Sequence, residues 1–425
     1  MELRKRSLLG RVGKRWRNEL ALGAALLVVL PALYYIFYMA LPRLTHTAYA
    51  PAAPRITGAA DQTPPPKKFF LATHIKTPTP VRAIYMTSWV AGNKKRREEL
   101  VALARATEVN AIVIDIKDYT GKISFLVEDP LLKKIGTTEN RIPDIRDFIA
   151  ALHRDNIYVI GRISVFQDPA LVKNRPDLAV KQKSNTSAIW KDFKGISWLD
   201  AGAEPAWEYI VALANESRRN GFDELNFDYI RFPSDGNMKD IYFPWSGTKE
   251  KSEVLRGFFA YLREKLGHAG APISADLFGM TTTNTDDLNI GQVLENALMY
   301  FDFVAPMVYP SHYPPTFLGL KNPAAYPYEV VKYSMQHAAT RARATTTTIA
   351  LHGAVAIAST TPPLYQKEQF SLSKLRPWLQ DFNLGAIYTA DMVRKQKQAV
   401  YDSGLDSWML WSAANHYTAG ALDAQ

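Results

Sequence analysis

Eight segments of this 425-residue chain are either apolar at nearly every position or alternate apolar and polar residues with a period of two. That is the pattern of buried strands. The segments fall at residues 81–90, 111–118, 158–166, 221–233, 272–279, 302–310, 375–382 and 407–413. Between most of them, apolar residues recur every three or four positions, at 98–109, 145–156, 206–220, 250–268, 291–301, 327–344 and 389–403. Such runs carry one apolar stripe and predict helices lying on a sheet. Strands and helices in alternation predict a parallel sheet joined by right-handed crossovers. Eight such units suit an α/β fold of the (β/α)8 TIM-barrel type with loop insertions. An open doubly wound sheet would carry a glycine-rich phosphate loop after its first strand. Here the first strand runs into Thr87, Ser88, Trp89, Val90, Ala91 and Gly92, which lack that fingerprint. The barrel is expected at 81–417, with a short tail at 418–425.

The front of the chain follows another pattern. Residues 1–19 carry seven Lys or Arg against Glu2 and Glu19, and residues 20–41 carry no charge. At about 1.5 Å per residue, a helix over 20–41 is long enough to cross a bilayer. Cations before the span place a basic tail in the cytoplasm and the barrel outside the membrane. A cleaved signal peptide ending at Ala48, Tyr49 and Ala50 is the competing reading. Its apolar run would be long for a signal, and Pro51 follows the site directly, so a retained transmembrane helix is expected, with the lipid bilayer as a partner through 20–41. Residues 42–80 hold eight prolines and read as a semi-extended linker.

Charge changes the picture little. The net charge is +10, but all except +1 of it lies before residue 81. Basicity therefore belongs to the membrane-proximal end, and no nucleic-acid partner is expected. With no cysteine, disulfides, thiolate metal sites and cysteine nucleophiles are excluded.

Chemistry gathers at the predicted C-terminal ends of the strands. In 221–233, Glu224, Asn226 and Asp228 share one face, and Leu225, Phe227 and Tyr229 the other. A carboxylate at the end of a strand fed by a helix is how α/β barrels build active sites; capping of the next loop, or pairing with Arg231, is the structural alternative. In the second strand Asp115 and Lys117 fall on one face with Val113, as a buried pair or a polar contact for ligand. Arg162 ends the inward set of the third strand, Asp276 that of the fifth, and Tyr309 closes the sixth with His312 just beyond. Trp378 and Gln380 alternate in the seventh, and Trp411 and Asn415 mark the end of the eighth.

Amides and carboxylates hydrogen-bond hydroxyls, while aromatic faces stack on the C–H faces of sugar rings. Paired carboxyls in such a mouth are the machinery of glycoside hydrolysis, and Asp228 and Asp276 lie on neighbouring strands. No Gly-x-Ser-x-Gly elbow or Walker loop is present, and no His-x-x-x-His or His-x-Glu spacing suggests zinc. No metal or organic cofactor is implied.

Several motifs carry a resemblance: 83–89, 113–118, 161–169, 221–233, 274–279, 306–313, 376–382 and 408–415. With them the chain resembles a bacterial family of glycoside-hydrolase-like TIM-barrel proteins first catalogued as a domain of unknown function. The resemblance implies a barrel and a carbohydrate-type site, with a polysaccharide or oligosaccharide as substrate. As a departure from it, 345–373 is an enlarged segment before the seventh strand, in which 349–357 is expected to form an extra strand or hairpin near the cleft. Asp228 is the first choice for the essential carboxylate, supported by Asn226 and Arg231. Asp276 is the expected acid/base and Asp115 its rival. Tyr85, Trp89, Lys117, Arg162, Asn226, Arg231, Tyr309, His312, Trp378, Gln380, Trp411 and Asn415 are the expected substrate contacts. A non-catalytic polysaccharide-binding barrel and an envelope scaffold are the alternatives.

Overall fold

The structure is a computed structural model that describes residues 70–425 apart from 268, 269, 352, 354 and 359. The expected basic tail, transmembrane helix and most of the linker lie outside the described residues. Among the described residues, no helix is long and apolar enough to cross a membrane.

Eight parallel strands close into a barrel in which neighbours in the sheet are neighbours in the chain. They are β1 (Arg82–Met86), β2 (Ala111–Lys117), β3 (Tyr158–Ser164), β4 (Glu224–Asp228), β5 (Ile273–Phe278), β6 (Phe303–Met307), β7 (Trp378–Gln380) and β8 (Trp408–Trp411). Each lies inside one of the eight segments marked by apolar patterning. Helices follow the same correspondence, as Glu204–Arg219 and Pro327–Arg343 illustrate. Both faces of every strand are covered, so the alternation divides two apolar compartments. Outward residues such as Ile112, Ile114, Leu225, Phe227 and Leu379 meet the helices in the larger core. Inward residues such as Ala83, Val113, Ile160, Ala305, Trp378 and Met409 fill the barrel.

The lower barrel is closed by an ion pair. Arg376, just before β7, lies 3.1 Å from Glu224 at the start of β4, and both are buried. The Tyr158 hydroxyl donates to the same carboxylate at 3.2 Å. The end of the expected linker lies against this region: Ile75 N–H donates to Asp223 and Thr77 bonds the Tyr158 hydroxyl. The expected C-terminal tail also returns to the barrel, where Asp423 O accepts from Glu108 N–H.

The 345–373 segment forms a three-stranded antiparallel sheet, Leu364–Gln366 lying between Thr346–Thr347 and Ala356–Ala358. An extra strand was expected here, but near the cleft. The helix Pro327–Arg343 carries the chain back to the N-terminal ends of the strands first, so this sheet arises at the end opposite the mouth.

Arg376→Met should leave Glu224 buried without its cation and cost about 3–5 kcal/mol in urea unfolding. Adding Glu224→Leu should recover most of that loss. A single variant as stable as the parent would remove the ion pair from the account of the barrel floor.

Candidate active site

One guanidinium organises the mouth. Arg162 on β3 stands beside Asp115 on β2 and Asn226 on β4 in the strand register. Its Nη1 donates to Asp115 at 2.7 Å. Its Nε donates to Asp228 Oδ2 at 3.1 Å, and its Nη2 donates to the same oxygen. Nε also lies 3.9 Å from Asp276 Oδ2 on β5. Three carboxyls from three strands thus converge on a single cation.

Their environments differ. Asp115 is sealed in: one oxygen meets Arg162 and the other accepts from the Tyr85 hydroxyl at 2.5 Å. Asp228 faces the cavity, with Oδ1 accepting from Tyr229 N–H at 2.6 Å. Tyr229 has φ +53°, a left-handed conformation uncommon for so bulky a residue. It ends the strand's alternation. Asp276 Oδ1 accepts from Asn226 Nδ2 at 2.9 Å and from Trp378 Nε1 at 2.8 Å. Burial, reinforced by the charge of Asp228, pushes the Asp276 carboxyl up to about 8 against the opposing pull of Arg162 and these donors. Asp276 is therefore protonated at neutral pH. With two N–H groups on Oδ1, the proton belongs on Oδ2.

A cavity of about 460 Å³ opens above these groups, within the size range of small-ligand sites. Tyr229, Phe278, Tyr309, Tyr313, Trp378 and Trp411 supply much of its wall. Trp411 stacks on Tyr85 with ring centroids 3.9 Å apart and meets Trp378 edge-on at 5.5 Å. Burial lowers the His312 pKa, so its ring is neutral at pH 7 and suited to a hydroxyl. A Cβ on Gly279 would stand 2.5 Å from Met307 O, so the wall closes there only around glycine.

Of the residues expected at the site, Asp228, Asp276, Arg162, Arg231, Tyr309, His312, Trp378 and Trp411 line this cavity. The others lie elsewhere. Tyr85 and Asp115 sit behind Arg162, and Asn226 behind Asp276. Asn415 donates to Tyr85 O and accepts from Thr87 N–H, tying the ends of β8 and β1. Gln380 accepts from Ser311 N–H and donates to Phe382 O, shaping the loop that carries His312.

Lys117 departs most from expectation. The register shifts between Asp115 and Lys117, so the lysine leaves the face of Asp115. It pairs with Asp168 and lies over the Tyr209 ring, fully buried. Trp89 is 60% exposed and packs on Arg141, outside the cavity wall.

The sequence reading missed Tyr229, Phe278, Gly279, Met280, Met307 and Tyr313 as wall residues. Parity gave a signal for Phe278, two positions after Asp276. For Tyr229 parity pointed the wrong way, because the positive φ turns it toward the side of Asp228.

The family model described as "Putative glycosyl hydrolase domain" matches residues 83–417. Among solved structures, a hypothetical protein from Ruminiclostridium thermocellum is 36% identical over 49% of this chain and 98% of that one, with a TM-score of 0.42. The PgaB (BpsB) glycoside hydrolase domain from Bordetella bronchiseptica is 14% identical over 81% of this chain and 99% of its own, with a TM-score of 0.56, a likeness of fold. A chitinase from Chromobacterium violaceum is 13% identical over 80% and 96%, with a TM-score of 0.44. No curated protein matches the chain.

Between the ordinary carboxyl range and pH 8, folded Asp276 holds a proton that the unfolded chain has released. Its contribution to stability must therefore fall as pH rises through that window and level off above about 8. Asp276→Asn should remove this slope from a series of urea unfolding curves. Asp228→Asn should bring the Asp276 titration, followed by carboxyl ¹³C NMR, down toward the ordinary range. An Asp276 signal already ionised at pH 6 would contradict this assignment.

Proposed function

We propose that this chain, which belongs to that glycosyl hydrolase family and is an enzyme of the glycoside hydrolase class, cleaves its substrate with Asp276 as acid/base and Asp228 as nucleophile. The observation that carries this reading is the opposed surroundings of two carboxyls on adjacent strands facing one cavity. Asp276 is neutral and presents Oδ2, while Asp228 lies against the Arg162 cation. Arg162 Nε is 3.1 Å from one Oδ2 and 3.9 Å from the other, so these oxygens are at most about 7 Å apart. That limit favours the short spacing of retaining enzymes, about 5–5.5 Å, over most of the inverting range.

In the first step Asp228 bonds to the anomeric carbon while the bond to the leaving oxygen breaks, and that oxygen takes the Asp276 proton. In the second, Asp276 as carboxylate takes a proton from water. The hydroxyl attacks the same carbon, the ester to Asp228 breaks, and Asp276 is again protonated. Arg162 neutralises Asp228 whenever it is a carboxylate, and Trp378 with Asn226 fixes the edge of Asp276 that gives the proton. Trp411, Tyr309 and Tyr229 offer ring faces to the sugar.

The setting is proposed from the sequence. An uncharged run at 20–41 behind a basic tail supports a retained single-pass anchor, with the barrel outside the cytoplasm. A bacterial envelope or extracellular polysaccharide is then the accessible substrate.

The wild-type chain, incubated with a panel of envelope polysaccharides, should release reducing ends. Asp228→Asn and Asp276→Asn should each lower turnover by about a hundredfold to ten-thousandfold without loss of fold. The wild-type kcat/KM should fall as pH rises through about 8, where Asp276 loses its proton. NMR of the first product should show the anomeric configuration retained; inversion would make Asp228 the base for water. A polymer bound by the wild type but never cleaved would reassign the barrel as a binding module. For the setting, carbonate-washed membranes should keep the full chain and lose a form lacking residues 1–41.

A further inference from the structure

Arg231 is left over by this chemistry. It follows Asp228 by three residues, is 8% exposed and lines the cavity. Its guanidinium carbon sits 4.7 Å from the Trp198 ring centroid, 4.7 Å from that of Phe278 and 5.4 Å from that of Tyr229. Nη1 donates to Phe232 O at 3.0 Å and to Ser234 Oγ at 3.2 Å. Nε and Nη2 have no acceptor among the described residues, and no carboxylate there lies within ion-pair distance. Arg231 lines the cavity, and among the described residues neither nitrogen belongs to the sealed polar atoms without a partner, such as Asn226 Oδ1. Arg162 is the opposite case, since every one of its nitrogens meets a carboxylate.

The Asp228, Asp235 and Asp192 carboxylates act on Arg231 only from beyond ion-pair distance, so its burial stays costly, and three aromatic faces offset only part of that cost. The unused Nε–Nη2 edge is the side of a guanidinium that forks onto a carboxylate through two parallel N–H bonds. A phosphate monoester, a dianion near neutral pH, would bring more charge than one edge can meet, next to the Asp228 carboxylate. Resting on the glycosidase reading above, we infer that Arg231 receives the carboxylate of an acidic sugar unit beside the cleaved bond, so that the substrate is a uronate-type glycan. Burial lowers the Arg231 pKa, the direction expected of a cation awaiting an anion.

D-Glucuronate and its neutral isostere D-glucuronamide separate the carboxylate from the ring. Titrated into the full chain at pH 7 and followed by ligand-observed NMR, glucuronate should bind about tenfold tighter or more than the amide. Arg231→Gln should bring the ratio close to one. Arg231→Lys, which keeps the charge and loses the fork, should recover only part of it, with circular dichroism confirming the fold of both. Equal affinity of the wild type for the two probes, absence of glucuronate binding, or a preference that survives in Arg231→Gln would each overturn the inference. The glycosidase reading stands or falls separately, on whether Asp276→Asn lowers product release by about a hundredfold or more.

Discussion

The upper half of the barrel interior depends on Arg162. A carboxylate buried alone is expensive enough to protonate or to force the structure apart, and three of them stand within a few ångströms here. One guanidinium makes the group tolerable: Asp115 takes one end, Asp228 the other, and Asp276 stands 3.9 Å off. The same cation lies 5.6 Å from the Tyr85 ring centroid and 5.0 Å from that of Trp411. Strands β1, β2, β4, β5 and β8 are thereby referenced to one side chain of β3, and Trp378 adds β7 through its bond to Asp276. Fold and site meet in this group, because the geometry that satisfies the arginine also sets the positions of both carboxyls that line the cavity.

Sharing one arginine unequally is what distinguishes the two acids. Asp228 receives two charged N–H groups, whereas Asp276 receives neutral donors from an indole and an amide. Charge-assisted hydrogen bonds are roughly twice as strong as neutral ones. Neutral donors at a fully buried site are too weak to outweigh desolvation, so Asp276 keeps its proton while Asp228 has its counter-ion. Asn226 carries a cost of this arrangement, for its own Oδ1 is buried without a donor. Its amide is turned to serve the acid.

The barrel was legible because the signals for it are local and repeated. Eight apolar segments and their helices each announce themselves within a short window, so errors at single boundaries do not disturb the topology. The strand-end acids and aromatics were legible for the same reason, since a period of two tells inward from outward. Parity failed where the backbone leaves the ideal strand. The register shift between Asp115 and Lys117 turns the lysine away to Asp168, and the positive φ of Tyr229 brings a ring from the wrong parity into the wall. Neither irregularity has a glycine or proline to mark it. Trp89 failed differently, because the strand pattern ran on into a short helix, Ser88–Gly92, capped by the Thr87 side chain.

Parity also says nothing about depth, and depth decides role. Glu224, Asn226 and Asp228 are alternate residues on one inward face of β4. The first is closed off by Arg376 and Tyr158 on the barrel floor, where no ligand reaches. The second touches only protein and acts by orienting Asp276. The third meets the cavity. Three polar residues with the same spacing and direction thus form a structural ion pair, a positioning amide and a cavity-facing carboxylate. What separates them is roughly 7 Å per pair of residues along the strand axis. Residue type alone would rank Glu224 with Asp228. The distance of each from the C-terminal end of its strand makes the distinction, and that quantity is written in the sequence once the end of the strand is known.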